Sequence, residues 1–301
     1  MKGLALRVRS PLLVHKISIL TSSLSPSPRL YSSTSSDSKP SVLDGSEGLF
    51  QFANRTKDRA SSQMDRYLVH SVFPPSNWMM QNYFLFTKLQ LPTNVEIDAV
   101  EFLNGARFAC DLAINTMYSN EFVNFANGVV SESAAAEKMK SGLSDTCYEA
   151  FLFAMRQSRK AGNSFSLKQL DINGVYLYDV NWDRLSLAEM KQEEALETLN
   201  RSQRLEMDHQ EEKRGIEGKT DVSHERTPVA FSQTEGAAPE DHTMMVERLQ
   251  LDVLLETVEH LEVATADHAD QVLEKKSSAV WRFESLVTQP DNIDWRIVTV
   301  L

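Results

Sequence analysis

The chain is short of cysteine, of long apolar runs and of positive charge. Its 301 residues include only two cysteines, Cys110 and Cys147. That excludes a disulfide-stapled scaffold, and their spacing fits no paired-thiolate zinc knuckle. The longest nearly apolar run, Trp78 to Leu91, is broken by Gln81, Asn82 and Lys88. It falls well short of the roughly 20 residues a spanning helix needs, which excludes a polytopic helical membrane protein. With 31 basic against 42 acidic side chains, the formal net charge is −11. That is the wrong sign for a protein that grips phosphate over an extended surface. What remains, 42% hydrophobic and 24% charged, is the composition of a globular protein of one or two domains.

Acid is missing from one region altogether. Residues 1–36 hold Lys2, Arg7, Arg9, Lys16 and Arg29, twelve Ser or Thr, and no carboxylate; Asp37 is the first. A basic, acid-free, hydroxyl-rich leader has the composition of a mitochondrial or chloroplast transit peptide. Arg29 before Tyr31 and Ser32 resembles a mitochondrial processing site, so cleavage is expected between Tyr31 and Ser32, with residues 1–31 as the transit peptide. The apolar stretch Leu12–Leu20 is interrupted by His15 and Lys16, which argues against a secretory signal. Without the leader all 42 acids stay and five bases go, leaving a mature charge of about −16.

Residues 32–73 are polar and balanced in charge, and read as a linker. Ser76, after Pro74-Pro75, is the expected N-cap of a helix over Trp78–Leu91. This segment is rich in aromatics and methionine. Trp78, Phe84, Leu85 and Leu89 are therefore the candidate contact with a membrane or partner, with packing against the following helix as the alternative. That following helix is the clearest element. Asp98 and Glu101 form a capping-box pattern, and Ile97, Val100, Leu103, Ala106, Cys110, Ala113 and Met117 recur at helical spacing. Gly105 in its middle is expected to mark a close packing point. A second helical region runs from about Ser131, breaks at Gly142, resumes at Ser144 and ends near Arg159-Lys160.

The period then changes to two. Val175 and Leu177 alternate with Tyr176, Tyr178, Val180 and Trp182, and Leu249, Leu251, Val253 and Leu255 alternate with Arg248, Gln250, Asp252 and Glu256. A third strand carries Ala279, Trp281, Phe283 and Val287, and Pro290-Asp291-Asn292 turns into a fourth with Trp295 and Ile297. Helices first and antiparallel strands after, without βαβ alternation, predict an α+β fold with N-terminal helices on a sheet of about four strands. Residues 186–245 interrupt the strands with 14 acids against 7 bases. They read as an insertion, helical to about Arg214 and disordered beyond.

No motif speaks for catalysis. Gly218-Lys219-Thr220 fails as a phosphate loop because Lys213 stands where the first glycine belongs. His260, Glu262, Asp267, His268 and Asp270 are dense, but strand geometry puts His260 and Glu262 on a polar face, and no HExxH pattern is present. His209, His224 and His242 fall in the insertion, and the two cysteines lie on apolar helix faces. No metal or cofactor is expected.

Taken together, Glu101, Phe102, Gly105 and Ala106 in E-F-x-x-G-A-x-x-A, Trp281 and Phe283 in W-x-F, and Trp295 and Ile297 in D-W-x-I resemble the translocase-subunit-44-like domain. Pro74-x-x-Asn77-Trp78 precedes the same helix, and the resemblance covers residues 74–183 and 246–301. It implies a single domain over 74–301 with those eight residues as structural positions, on a curved, cystatin-like or nuclear-transport-factor-like cone. It further implies a non-enzymatic adaptor in the mitochondrial matrix, peripheral to the inner membrane, that assists import, sorting or maturation of membrane proteins. The implied partners are an inner-membrane complex (the m-AAA protease or the translocase) and its membrane-protein clients, with nucleic acid reached only through a ribosome. The alternatives are a tether of the large mitochondrial ribosomal subunit and a small-ligand-binding protein of the cone fold. The chain departs from the family in its insertion, and from the family's motor-tethering import subunit in lacking a long charged region before the domain.

Overall fold

The computed structural model describes residues 41–160, 164–216, 244–265 and 268–301. The proposed processing residues Arg29, Tyr31 and Ser32 and the second half of the expected insertion lie outside these. In chain order the elements are α1 (Ser46–Val69), α2 (Met79–Lys88), α3 (Ala99–Met117), α4 (Asn120–Ala126), α5 (Ala134–Lys140) and α6 (Asp145–Lys160). Then follow β1 (Ser164–Ser186), α7 (Leu187–Ile216), β2 (Met245–Thr265), β3 (His268–Leu286) and β4 (Arg296–Val300). The strands form one sheet in the order β1-β2-β3-β4, and β2–β3 and β3–β4 pair antiparallel. The fold is α+β, with N-terminal helices packed on a sheet.

Alternation along β2 explains why one face of the sheet takes the helices. Leu249, Leu251, Val253 and Leu255 are buried, as are Trp281 and Phe283 on β3 and Ile297 on β4. They join one core with Leu103, Ala106, Cys110 and Ala113 of α3 and Phe122, Met139 and Phe151 of α4 to α6. The intervening β2 residues make the other face polar. Asp252 there takes a bidentate pair from its cross-strand partner Arg282 at 2.7 and 2.8 Å, and Gln250 donates to Glu284 at 2.7 Å. Beyond Leu255 the core-side phase carries Thr257 and Glu259, both buried. Glu259 is satisfied there by the Tyr118 hydroxyl at 2.8 Å and by Lys275 at 3.2 Å. Burial, with the Glu259 charge adding to it, pushes the Tyr118 hydroxyl well above its usual pKa.

β1 departs from the expected alternation. Leu177 and Val180, an odd number of residues apart, are both buried while Tyr178 is exposed. A single buried face along this strand is therefore ruled out.

The outermost strands are each met at one point by backbone from the helical part. Leu177 N–H on β1 donates to the Val72 carbonyl at 2.7 Å. On β4, Ile297 N–H donates to Gly142 O at 3.1 Å and Ser144 N–H to Ile297 O at 3.0 Å.

The linker expected over residues 32–73 is corrected by α1. A narrow stripe at helical spacing (Thr56, Ala60, Met64, Tyr67) turns inward, and Tyr67, Val72 and Phe73 belong to the core. The folded part thus reaches back well before residue 74. Balanced charge concealed the helix, because only one residue per turn needs to be apolar when a helix lies on the rim of a core. Its end is a Schellman closure: Val72 N–H to Tyr67 O at 3.0 Å and Ser71 N–H to Leu68 O at 3.1 Å. That closure puts Ser71 at φ 52°, in the left-handed region. The end of α4 is built the same way with Gly128 at φ 71°.

Gly105 is also corrected. A Cβ there would meet nothing within 4 Å, so it is an open helix position and not a close approach. The two sites call for opposite substitutions. Ser71→Gly is expected to stabilise by about 0.5–1 kcal/mol by relieving the left-handed strain. Gly105→Ala is expected to stabilise by about 1 kcal/mol through helix propensity. Urea unfolding of each single variant checks both, and a loss at Gly105→Ala would reinstate a packing role for that glycine.

Asp183–Glu247 forms a second compact unit. Within it α7 starts on a reciprocal capping box: Glu189 N–H donates to the Ser186 hydroxyl at 3.2 Å, and Ser186 N–H to the Glu189 carboxylate at 2.7 Å.

Candidate functional site

α2 is the element whose two sides differ most in what they offer. Its N-terminus follows a turn, Asn77 N–H to Pro74 O at 3.0 Å. The N-cap is Trp78 and not Ser76. Indole has no acceptor for a first-turn amide, but the Gln81 amide oxygen takes the Trp78 N–H at 3.1 Å, the half of a capping box that needs no acceptor on the cap. The aromatic at the cap position is thereby held clear of the body.

The underside follows from spacing. Asn82, Leu85, Phe86 and Leu89 recur at i, i+3, i+4 and i+7 and are all buried. Phe86 meets Tyr67 edge-on at 5.8 Å, and Tyr67 meets Phe73 at 6.2 Å. The Tyr67 hydroxyl in turn accepts from Ala99 N–H at 3.2 Å and donates to Ile97 O at 3.3 Å. One phenol therefore ties α1 and the underside of α2 to the start of α3. Burial raises the Tyr67 pKa, so the phenol stays protonated and both bonds persist at neutral pH.

The outer side carries Trp78, Met79, Met80, Tyr83 and Phe84, all exposed. The four sequence candidates divide between the sides: Trp78 is 61% and Phe84 57% exposed, against 7% for Leu85 and 1% for Leu89. Leu85 and Leu89 are therefore removed from the contact surface, because they are the hydrophobic seat of the helix. Met79, Met80 and Tyr83 were missed as contact residues. Lys88, which pairs with Asp179 at 2.7 Å, marks one side of the helix with Phe84 and Met80 one and two turns before it; it gives no sign of Met79 or Tyr83.

The outer surface groups aromatics and thioethers whose large apolar area is not buried by the chain itself. Tyr, Trp, Phe and Met are the residues enriched at the cores of interfaces, and methionine adapts its shape to more than one partner surface. An arrangement of this kind can bind another apolar surface.

The motif residues meet elsewhere. Phe102 on α3 packs edge-on to Phe283 of β3 at 5.4 Å and against Trp295 at 4.8 Å. Ala106, Trp281, Phe283 and Ile297 are buried around them. Glu101 is exposed in the first turn of α3, where its charge suits the positive end of the helix and packs nothing. Asp98, the N-cap of α3, accepts the Val100 and Glu101 amides and pairs with Arg66. Partial desolvation opposes ionisation there, but Arg66 and the two amides prevail and hold its carboxyl below the usual range.

His260 and Glu262, singled out as ligand types, each lie beside a side chain of β1. His260 lies 3.4 Å from Asp171 and Glu262 2.7 Å from Lys168. Among the described residues no group of three or more His, Cys, Asp or Glu is placed to hold a metal ion. Asp267, His224 and His242 lie outside the described residues. Cys110 and Cys147 are both buried, and burial pushes the Cys110 thiol well above its usual pKa. No helix among the described residues is long and apolar enough to cross a membrane. Compared with known proteins, the chain matches no family model and no curated protein.

Proposed function

We propose that this chain is a non-enzymatic adaptor on the matrix side of the mitochondrial inner membrane, assisting the import, sorting or maturation of inner-membrane proteins. The observation that carries the reading is the outer side of α2, where Trp78, Met79, Met80, Tyr83 and Phe84 stand exposed on a helix whose underside is locked into the core. A rigid body with one aromatic and methionine-rich surface is built to hold another molecule. The motif likeness supports the family side of the reading. Phe102, Phe283 and Trp295, more than 180 residues apart at the extremes of the sequence, come together in one aromatic cluster, the behaviour expected of a domain signature. The motif likeness extends to the mitochondrial m-AAA protease-interacting protein, which the sequence resembles, so that membrane-bound protease and its clients are the proposed partners.

The test is affinity capture from gently solubilised mitochondria with the wild-type chain and with Phe84→Asp. Recovery of m-AAA protease or translocase subunits by the wild type, lost in the variant, supports the adaptor and its surface together. Recovery of the large ribosomal subunit would replace this reading with a ribosome tether. N-terminal sequencing of the captured protein is expected to begin at Ser32; an intact Met1 in organelles would remove the mitochondrial placement.

A further inference from the structure

β3 is longer than the strand beside it. β4 pairs with β3 only over Trp281–Glu284, and Val280 exchanges bonds with Leu301. From residue 279 back to 272, β3 has β2 on one side and, among the described residues, no backbone hydrogen bond on the other. The outward groups can be assigned. Register between β2 and β3 is unbroken from Arg248↔Leu286 to Val263↔Gln271, so alternate residues point the same way. Val280 N–H and C=O face outward to Leu301, at 3.4 and 2.8 Å. By the two-residue repeat, the N–H and C=O of Ser278, Lys276, Glu274 and Val272 face outward as well.

This stretch carries opposite charges two residues apart on one face. Glu274 and Lys276 are exposed and lie 3.3 Å from each other. An edge with no backbone partner among the described residues and such a charge pair fits one partner better than others, a second copy of itself. In an antiparallel pairing centred on Lys275, Glu274 of each copy stands opposite Lys276 of the other, and Val272 opposite Ser278. All four are residues whose amides face outward, so each opposed pair exchanges two backbone bonds. Shifting the centre to residue 274 or 276 sets Glu274 against Glu274 or Lys276 against Lys276, and like charges directly opposite are unfavourable. The central Lys275 meets its own symmetry mate, but each ammonium is already held by the largely buried Glu259 carboxylate at 3.2 Å.

We propose that residues 272–278 of β3 pair antiparallel with the same residues of a second copy, centred on Lys275, joining two sheets into one across a two-fold axis. The interface is isologous and closed, so it ends at a dimer. Because it uses backbone bonds and two reciprocal ion pairs with little apolar burial, it is a weak, concentration-dependent association.

The test is sedimentation equilibrium of the full chain with a charge swap. The wild type is expected to show a monomer–dimer equilibrium. Lys276→Glu is expected to weaken it by about tenfold or more, since it sets Glu274 against a new carboxylate on both sides. The double change Glu274→Lys with Lys276→Glu restores opposite charges in the same register and is expected to recover the dimer. Both side chains are exposed, so melting temperatures are expected to stay close to wild type. Amide exchange at Glu274, Lys276 and Ser278 of the wild type provides a reading that needs no variant, and is expected to slow as concentration rises. A wild type that stays monomeric to its solubility limit overturns the proposal. So does a dimer indifferent to Lys276→Glu, one the double change does not restore, or exchange at those amides independent of concentration.

Discussion

Phe283→Ala is expected to remove about 3–5 kcal/mol of folding stability. Phe283 is fully buried at the meeting point of three elements: its own strand β3, the neighbouring β4 through Ile297, and α3 through Phe102. Truncation loses the transfer energy of the ring and leaves a cavity that rigid strands on both sides cannot close. The edge-on pair with Phe102 at 5.4 Å adds about 0.5–1.5 kcal/mol that alanine also forfeits. A loss of that size is a large part of the 5–15 kcal/mol typical of a domain, so the transition midpoint in urea should fall sharply. Phe102→Leu, which keeps apolar contact without the ring pair, should cost much less. A cost below about 1 kcal/mol at Phe283 would mean that α3 is not seated on the sheet through this cluster.

The second large effect separates two adjacent residues of α2. Leu85→Asp is expected to abolish folding or cost several kcal/mol, because a carboxylate would be buried without a partner beside Phe86 and Leu89. Phe84→Asp, one residue earlier, is expected to leave the melting temperature nearly unchanged, since the new carboxylate faces water. Its effect falls on binding: the partner captured by the wild type should be lost. Thermal unfolding read together with capture distinguishes the outcomes. If Phe84→Asp unfolds the chain, the outer side of α2 is structural and the proposed contact surface is wrong. If it folds and still captures the same partner, α2 is not the contact.

Much of the fold could be read from local pattern. Asp98, just before the helical spacing from Val100 to Met117, marked where α3 begins, because the cap and the 3.6-residue repeat are both properties of a few neighbouring residues. Leu249 to Leu255 showed a strand with one buried face for the same reason. The order of helices before antiparallel strands followed, and with it the α+β class. The contact surface was legible only in part. Trp78–Leu91 was recognisable as an apolar helix with more hydrophobic surface than one side can bury, but its composition alone does not say which side the core claims.

Tertiary structure decided the rest. α1 is seated because Tyr67 finds Phe86, Ile97 and Ala99, partners that lie outside any local window; charge balance along residues 46–69 carries no trace of them. The phase of α2 was settled by where Leu85 and Leu89 had a core to enter. Gly105, read as a close approach, faces open space because no element crosses α3 there. Sequence by itself determined the elements whose pattern is imposed by their own period and caps, and thereby the fold class. What only the tertiary structure decided is which apolar side is covered and which is left for another molecule, since burial depends on neighbours brought together from distant parts of the chain.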